Sequence, residues 1–500
     1  MNTRNPSLKK SLRRFIHSVA WLSALAFVCA GEASPDEDKG NLPPISRGLP
    51  SQAALCAMSN AGDETWMEFP ALGRTFAEHD PWLWPESLRR WLYILDHGPE
   101  GTWMYVATES TGNGDPVDPA LEPGAAGEAT VTVSTYGELT AAVAVAGPGT
   151  IIELEDGIYA GSRITVTRSG TEEEPIVIRA ANLLGANIPN TFQIYGANIV
   201  IRGLEFITPL SASTLEMRND NVQVWRCRFK SLGGTSIYIG LSTRCRVMYC
   251  EFSSQDASDW WQATNSCIRS GGGSDQAYDV EIGYCYFHDM PGKPVGAPYS
   301  ARGRNLIVTA PGNTGATLDT NWHIHHCLAV DTGNCRFSIN SSGNLVEFVT
   351  VTGRTGNNEV TASTDVSVRF GANNVIRGCW KEDADGFLVW DQNNTLIGCK
   401  TVNSQPSRIA RGDNLQSGGL QYPQARNTKV VACDFDALHV GAFSWAGSLP
   451  VVDTRIENHT GSVSLQHETG TVQTDEMTET PVTPVKILPE WVGPHGTGRP

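Results

Sequence analysis

Apolar positions along the second half of the chain recur in a short, marked pattern: Asn, an aliphatic residue three positions later, Cys three beyond that, and often Phe two further on. Copies begin at Asn198 (Ile201, Leu204, Phe206), Asn221 (Val224, Cys227, Phe229), Arg244 (Val247, Cys250, Phe252), Asp279 (Ile282, Cys285, Phe287), Asn321 (Ile324, Cys327), Gly343 (Val346, Val349), Asn373 (Val375, Ile376, Cys379), Asn393 (Leu396, Cys399) and Asn427 (Val430, Cys433, Phe435). The starts are separated by 23, 23, 35, 42, 22, 30, 20 and 34 residues. A basal turn near twenty residues with occasional insertions is the signature of a solenoid whose coils stack and bury one continuous core. Short apolar runs and sharp corners make these coils β rather than helical. Asn or Gly at a corner tolerates a left-handed backbone. The pattern predicts an all-β, right-handed parallel β-helix.

The flanks read differently. Thr135 and Glu138 form a candidate capping box ahead of an Ala/Val helix that covers the open end of the first coil, where bare strand edges need protection. The solenoid is expected over residues 128–470, fading between 440 and 470, with 471–500 a Thr/Pro/Gly tail of no clear period. Residues 31–127 form an N-terminal extension. It is polar to about residue 46, Trp-rich over 47–108 with a short helix expected from Pro85 to Leu95, and a Gly/Pro/Glu linker thereafter. Residues 1–30 read as an export signal: Arg4, Lys9, Lys10, Arg13 and Arg14, an apolar run, then Val28-Cys29-Ala30 as a small-residue cleavage site. The run is short for a transmembrane anchor. The expected product is a secreted or periplasmic monomer, free of the membrane once cleaved.

Charge narrows the partners. The formal net charge is −16, and removing the five basic residues of 1–30 takes it to −21. Such a chain is not expected to bind nucleic acid nonspecifically; a polyanionic ligand needs basic residues gathered in one groove. Seven of the twelve Cys occupy one slot of successive coils. Free Cys behaves as a small buried hydrophobe, so an interior column of thiols is expected in preference to disulfides. No Cys-x-x-Cys pair is present to hold a metal. His323, His325 and His326 are read as surface packing, for lack of a matching carboxylate.

Strand alternation nominates the groove. With Val366, Val368 and Phe370 inward, Ser367 and Arg369 point out; with Phe337 and Ile339 inward, Arg336, Ser338 and Asn340 point out. The same rule turns Trp390, Tyr238, Glu216 and Arg218 outward. Two long insertions, 253–278 and 288–320, border this face and bring His288, Lys293 and Arg304.

Two stretches resemble the polysaccharide lyase family that contains alginate lyases and chondroitinase B. One is Pro148-Gly149-Thr150-Ile151-Ile152-Glu153-Leu154-Glu155-Asp156-Gly157-Ile158-Tyr159, followed by Gly170-Thr171 and Glu174-Pro175-Ile176. The other is Ser338-Ile339-Asn340-Ser341-Ser342-Gly343-Asn344 with Val366-Ser367-Val368-Arg369-Phe370-Gly371, which resembles the family's catalytic coils. The resemblance implies a secreted lyase that cleaves an acidic, uronate-containing polysaccharide by β-elimination. Arg369 carries over from the family's Arg-His-Gly. Asn340 stands where the family has its Lys base, and Phe370 replaces the His. The family's calcium carboxylates fall on Gly333, Asn334, Cys335 or Arg336, so calcium is implied by the resemblance but its ligands are not matched, and no other cofactor is expected.

β-Elimination needs a cation to neutralise the uronate carboxylate, a base for the α-proton and an acid for the leaving oxygen. Arg336 and Arg369 are the candidate neutralisers, since guanidinium pairs bidentately with carboxylate. Lys293 is the candidate base, with Tyr238 and His288 behind it. Trp390, Tyr238, Arg218, Asn340, Arg304 and His288 are candidate substrate contacts. The alternatives are a noncatalytic carbohydrate-binding β-helix, and a glycoside hydrolase or epimerase on the same fold. Asp383, Asp385 and Asp391 offer an acid pair for hydrolysis, but Asp385-Gly386 reads rather as an ordinary turn before a strand.

Overall fold

The computed structural model describes residues 66–69, 73–76, 82–85, 92–98 and 101–106 of the N-terminal part. From 122 to 498 it describes all but 209–212, 232–233, 255–265, 272–274, 291–304, 310–319, 333–335, 354–365, 369–370, 411–423 and 443–448. The expected signal at residues 1–30 lies outside them. The chain divides into two units, Met1–Asp115 and Pro116–Pro500.

In the first unit, Trp66–Phe69, Gly73–Phe76, Trp82–Pro85, Leu92–Gly98 and Gly101–Val106 pair in sequence order as an antiparallel sheet. The helix expected from Pro85 to Leu95 is therefore corrected: Pro85 ends one strand and Leu92 opens the next. Aromatic and β-branched residues fit a pleated surface, and this preference prevails over the helical spacing.

The second unit is a parallel β-helix. Its first strands stack into a 14-stranded parallel ladder running from Val131–Val133 to Val472–Thr474. The second and third strands of the coils form the other large sheet, as in Glu205–Thr208 followed by Leu215–Met217. Corner chemistry follows from the repeat. Its starting residues, among them Asn198, Asn221, Arg244, Asp279, Asn321 and Asn373, take positive φ between 53° and 59°. A second left-handed corner, invisible in the composition of the repeat, sits just before the Cys slot at Arg226, Tyr249, Tyr284, His326 and Phe348.

The interior matches the expected columns. Cys227, Cys250, Cys285, Cys327, Cys379, Cys399 and Cys433 are free and buried. Each thiol donates to the carbonyl two residues earlier, for example Cys327 to His325 at 3.3 Å and Cys250 to Met248 at 3.4 Å. The corner leaves that carbonyl facing inward, and a thiol satisfies it at small volume. Val349 fills the same slot where Cys is absent. Beside this column Phe206, Phe229, Phe252 and Phe287 stack at 4.9, 5.1 and 4.9 Å. A buried ladder of Asn344, Asn374 and Asn394 links three further coils side chain to side chain.

The N-terminal end of the solenoid is closed. The helix Tyr136–Val145 carries the Thr135/Glu138 capping box and buries Leu139, Ala142 and Val143. The ladder runs on past residue 470, through Val472–Thr474 in register with Arg455–Glu457, and the residues beyond it do not trail away. They run back along the coils. Thr478 binds Glu457, the Val485 amide donates to the Gly378 carbonyl, Ile487 to Thr350 and Gly493 to Tyr284. Ile487 and Val492 pack on Trp225, Tyr249 and Tyr284. At the far end the Arg226 guanidinium donates to the carbonyls of Pro494 and Gly496 and pairs with the fully buried Glu122 at 2.6 Å. Arg202 pairs with the same carboxylate.

Candidate functional site

The third strands of the coils position the site. Their register runs without a break from Gln193 through Glu216, Tyr238, Arg269, Val308, Ser338, Ser367, Leu388 and Arg408 to His439. Apart from Ser367, of which only the backbone is described, these residues form one outward column, because their neighbours Leu215, Met217, Ile237, Ile239, Phe337, Ile339 and Val389 lie in the core. The strands bearing Tyr238, Arg336 and Ser367, and those leading to Arg218 and Trp390, thus share one face, as alternation implied.

Neighbouring coils lie about 4.8 Å apart, so the six steps from Glu216 to Leu388 span about 29 Å. That length suits a groove for several sugar units and is too long for one catalytic centre. Arg218 and Tyr238 are therefore remote from the coils of Arg336 and Ser367.

The N-terminal end of the column is a closed polar cluster. Arg218 pairs with Glu216 at 2.8 Å and Asp275 at 3.3 Å, and its guanidinium lies 4.9 Å from the Tyr238 ring centroid. The Tyr238 hydroxyl donates to Asp275. Burial, and then the hydrogen bond to Asp275, push its phenol up to about 12. Tyr238 is therefore a protonated donor and not a ready base. The Arg269 guanidinium lies 5.7 Å from the same ring centroid, and among the described residues it has no carboxylate partner.

Further along, two candidates are covered rather than open. Asn340 is 5% exposed; its side chain accepts from Ser338 and its amide donates to Thr309. Trp390 is 1% exposed and packs with Leu388 and Ala410 in a small cluster outside the main core. It does point outward, but it is no open stacking platform. His288 belongs to a second strand, Tyr286–His288, and not to the column. It lies between Glu251 at 3.2 Å and Asp289 at 2.7 Å. Burial alone would lower its pKa, but those two carboxylates outweigh it and raise it. Lys293, Arg304 and Arg369 lie outside the described residues, as does the side chain of Arg336, whose backbone is in the strand Arg336–Ile339. The family's calcium positions offer Gly333, Asn334, Cys335 and Arg336. That donor set has no carboxylate and does not suit calcium, so no step is routed through one. Asp383 and Asp391 occupy left-handed corners, and Asp391 accepts from the Gly371 amide, which makes it a turn residue.

Sequence reasoning missed Asp275 and Arg269 as partners of Tyr238. The register Tyr238↔Arg269 becomes legible only when the intervening insertion is assigned its length. It also missed the carboxylates of the His face. Glu281 and Glu347 flank His323 and His325 on adjacent first strands, which corrects the expectation that this column has no carboxylate.

The chondroitinase B family model matches residues 133–293. The solved structure of a PL6 family polysaccharide lyase from Pseudopedobacter saltans is similar over 73% of this chain and 99% of its own, at 14% identity and a TM-score of 0.55. The chain bears a distant resemblance to these lyases. A PL6 alginate lyase solved in complex with a trisaccharide aligns over 71% of this chain and 85% of its own, at 14% identity and a TM-score of 0.52. A mannuronic acid specific family 6 lyase from human gut microbiota aligns over 67% and 82%, at 14% identity and 0.51. No curated protein matches. The family match ends before the strands Arg336–Ile339 and Val366–Val368, so the coils read above as catalytic lie outside it.

Proposed function

We propose that the chain is an exported polysaccharide lyase that cleaves an acidic, uronate-containing polysaccharide by β-elimination along the third-strand groove. The observation that carries this reading is the single outward column, in which Arg269 and the strands of Arg336 and Ser367 follow one another in register on a chain of net charge −16. Cations concentrated on one face of an acidic protein repel one another, and a polyanion relieves that repulsion. The chondroitinase B match and the lyase-like solenoids support the same chemistry.

In this reading Arg336 and Arg369, from successive coils, neutralise the uronate carboxylate and so acidify the neighbouring C–H. Lys293 takes that proton, the electron pair left behind forms the C=C bond and expels the glycosidic oxygen, and water protonates that oxygen. Arg269, Tyr238 and Arg218 hold sugar units further along the groove. No base replaces the family's Lys at Asn340 itself, because a buried amide that already accepts a hydrogen bond cannot take a proton. The basic start and apolar run of residues 1–30 support export, after which the protein acts outside the membrane.

A screen against alginate, pectate, glucuronan and glycosaminoglycans tests this reading, with the ultraviolet absorbance of the unsaturated product as the signal. Product from at least one polymer is expected. Saturable binding without product from any of them would favour the noncatalytic carbohydrate-binding reading, which the loss of the Lys at position 340 favours.

A further inference from the structure

On the outer side of the first-strand ladder, far from the groove, four titratable side chains from three consecutive coils converge. His323 and His325 are two apart on the strand Trp322–His325 and so face the same way. The parallel register sets Glu281 beside His323 on one side and Glu347 beside His325 on the other. One ligand atom from each of Glu281, His323 and His325 lies within 4.8 Å of the others. We propose that Glu281, His323 and His325 form a divalent transition-metal site, suited to zinc.

The donor set decides the metal class. Two imidazole nitrogens and one carboxylate oxygen suit zinc, leaving a fourth position for water, whereas calcium and magnesium prefer oxygen alone. The surroundings supply the outer hydrogen bonds that such ligands need. Glu281 gives one carboxylate oxygen to Arg246, at 3.0 Å, and turns the other toward His325 Nε2, at 3.3 Å. Glu347 mirrors this, with one oxygen on Arg377 and the other 2.6 Å from His323 Nε2. Glu347 thereby orients His323 as a carboxylate orients a zinc-bound imidazole.

His326 plays the corresponding part for His325. Their Nδ1 atoms are 3.0 Å apart, so one ring donates to the other. When His325 donates, its Nε2 presents a lone pair to the Glu281 carboxylate, and only a cation satisfies both acceptors. When His326 donates, His325 gives its proton to Glu281 and the face is an ion-pair ladder with no metal. These two arrangements make different predictions for added zinc.

The test uses the full chain, treated with chelator, returned to a metal-free buffer and titrated with Zn2+ alone. One zinc bound per chain is expected, with a rise in melting temperature as binding to the folded state requires. His323→Ala, at a partly exposed position, and the isosteric Glu281→Gln should each weaken zinc binding about tenfold or more while leaving the β-sheet circular dichroism unchanged. Co2+ bound in place of zinc should give visible absorption bands that both variants lose. No zinc bound by the wild-type chain, or equal zinc retained by both variants, would overturn the proposal and leave the ion-pair ladder.

Discussion

Two outer faces of the same solenoid treat charge in opposite ways. On the first-strand face the described acidic residues of the strands are answered by a basic neighbour: Glu153 by Arg179, Glu281 by Arg246, Glu347 by Arg377 and Glu457 by Arg455. The C-terminal segment then runs across the coils beside this face and ties its end to Arg226. On the third-strand face Arg218 is paired with Glu216 and Asp275, whereas Arg269 has no carboxylate partner among the described residues. Local neutralisation ties neighbouring coils of the first-strand face together. A cation with no described carboxylate partner, in an acidic protein, is open to an anionic ligand. The fold alone does not make this distinction, because both faces arise from the same repeat.

The largest effect is expected at the buried end of the stabilised face. Glu122→Ala strands the guanidinium of Arg226 and weakens the hold on both termini. Removing one partner of a buried pair costs about 3–5 kcal/mol, to be read from the urea midpoint. A loss below 1 kcal/mol would mean that the pair is not closed in solution.

On the groove face, Arg269→Ala should change stability little, since the side chain is partly exposed and outside the core. It should weaken binding to an acidic polysaccharide, and the difference from wild type should shrink as salt rises, because exposed charges are screened over about 8–10 Å at physiological ionic strength. Equal affinity at low salt would remove Arg269 from the groove.

A smaller effect separates His288 from both faces. Its pKa is raised above the ordinary 6.5 by Glu251 and Asp289. The contribution to stability is therefore fully present below pH 6.5 and lost as pH rises through the raised value. His288→Ala should flatten this alkaline decline in melting temperature. An unchanged pH profile would show that His288 stays neutral.

The interior was far more legible in the sequence than the site. Asn at the repeat start forces the left-handed corner, and the apolar residue three later must then point inward, so Asn221 and Val224 alone already imply a coil. Cys227 and its equivalents follow from the same spacing. Thiol counting after denaturation without reductant should recover all seven column thiols free, and recovery as disulfides would contradict the buried stack. Chain spacing does not encode contacts across insertions. Asp275 meets Tyr238 from beyond a long insertion, and Glu281 meets His325 from 44 residues away. Outward direction was readable for Trp390, but its burial was not, since alternation fixes the side of a strand and not what covers it. The strand at Leu92 was misread because aromatic-rich segments carry both spacings.

The central claim is that the third-strand groove turns over an acidic polysaccharide through the coils of Arg336 and Arg369. The most direct measurement is the initial rate of unsaturated product formation by Arg369→Ala and wild type on the polymer that the wild-type protein cleaves, with circular dichroism to verify the fold. The account predicts a folded variant whose rate falls by about a hundredfold or more, as loss of a charge-stabilising donor at the reacting centre does. A folded Arg369→Ala protein with the wild-type rate would contradict it.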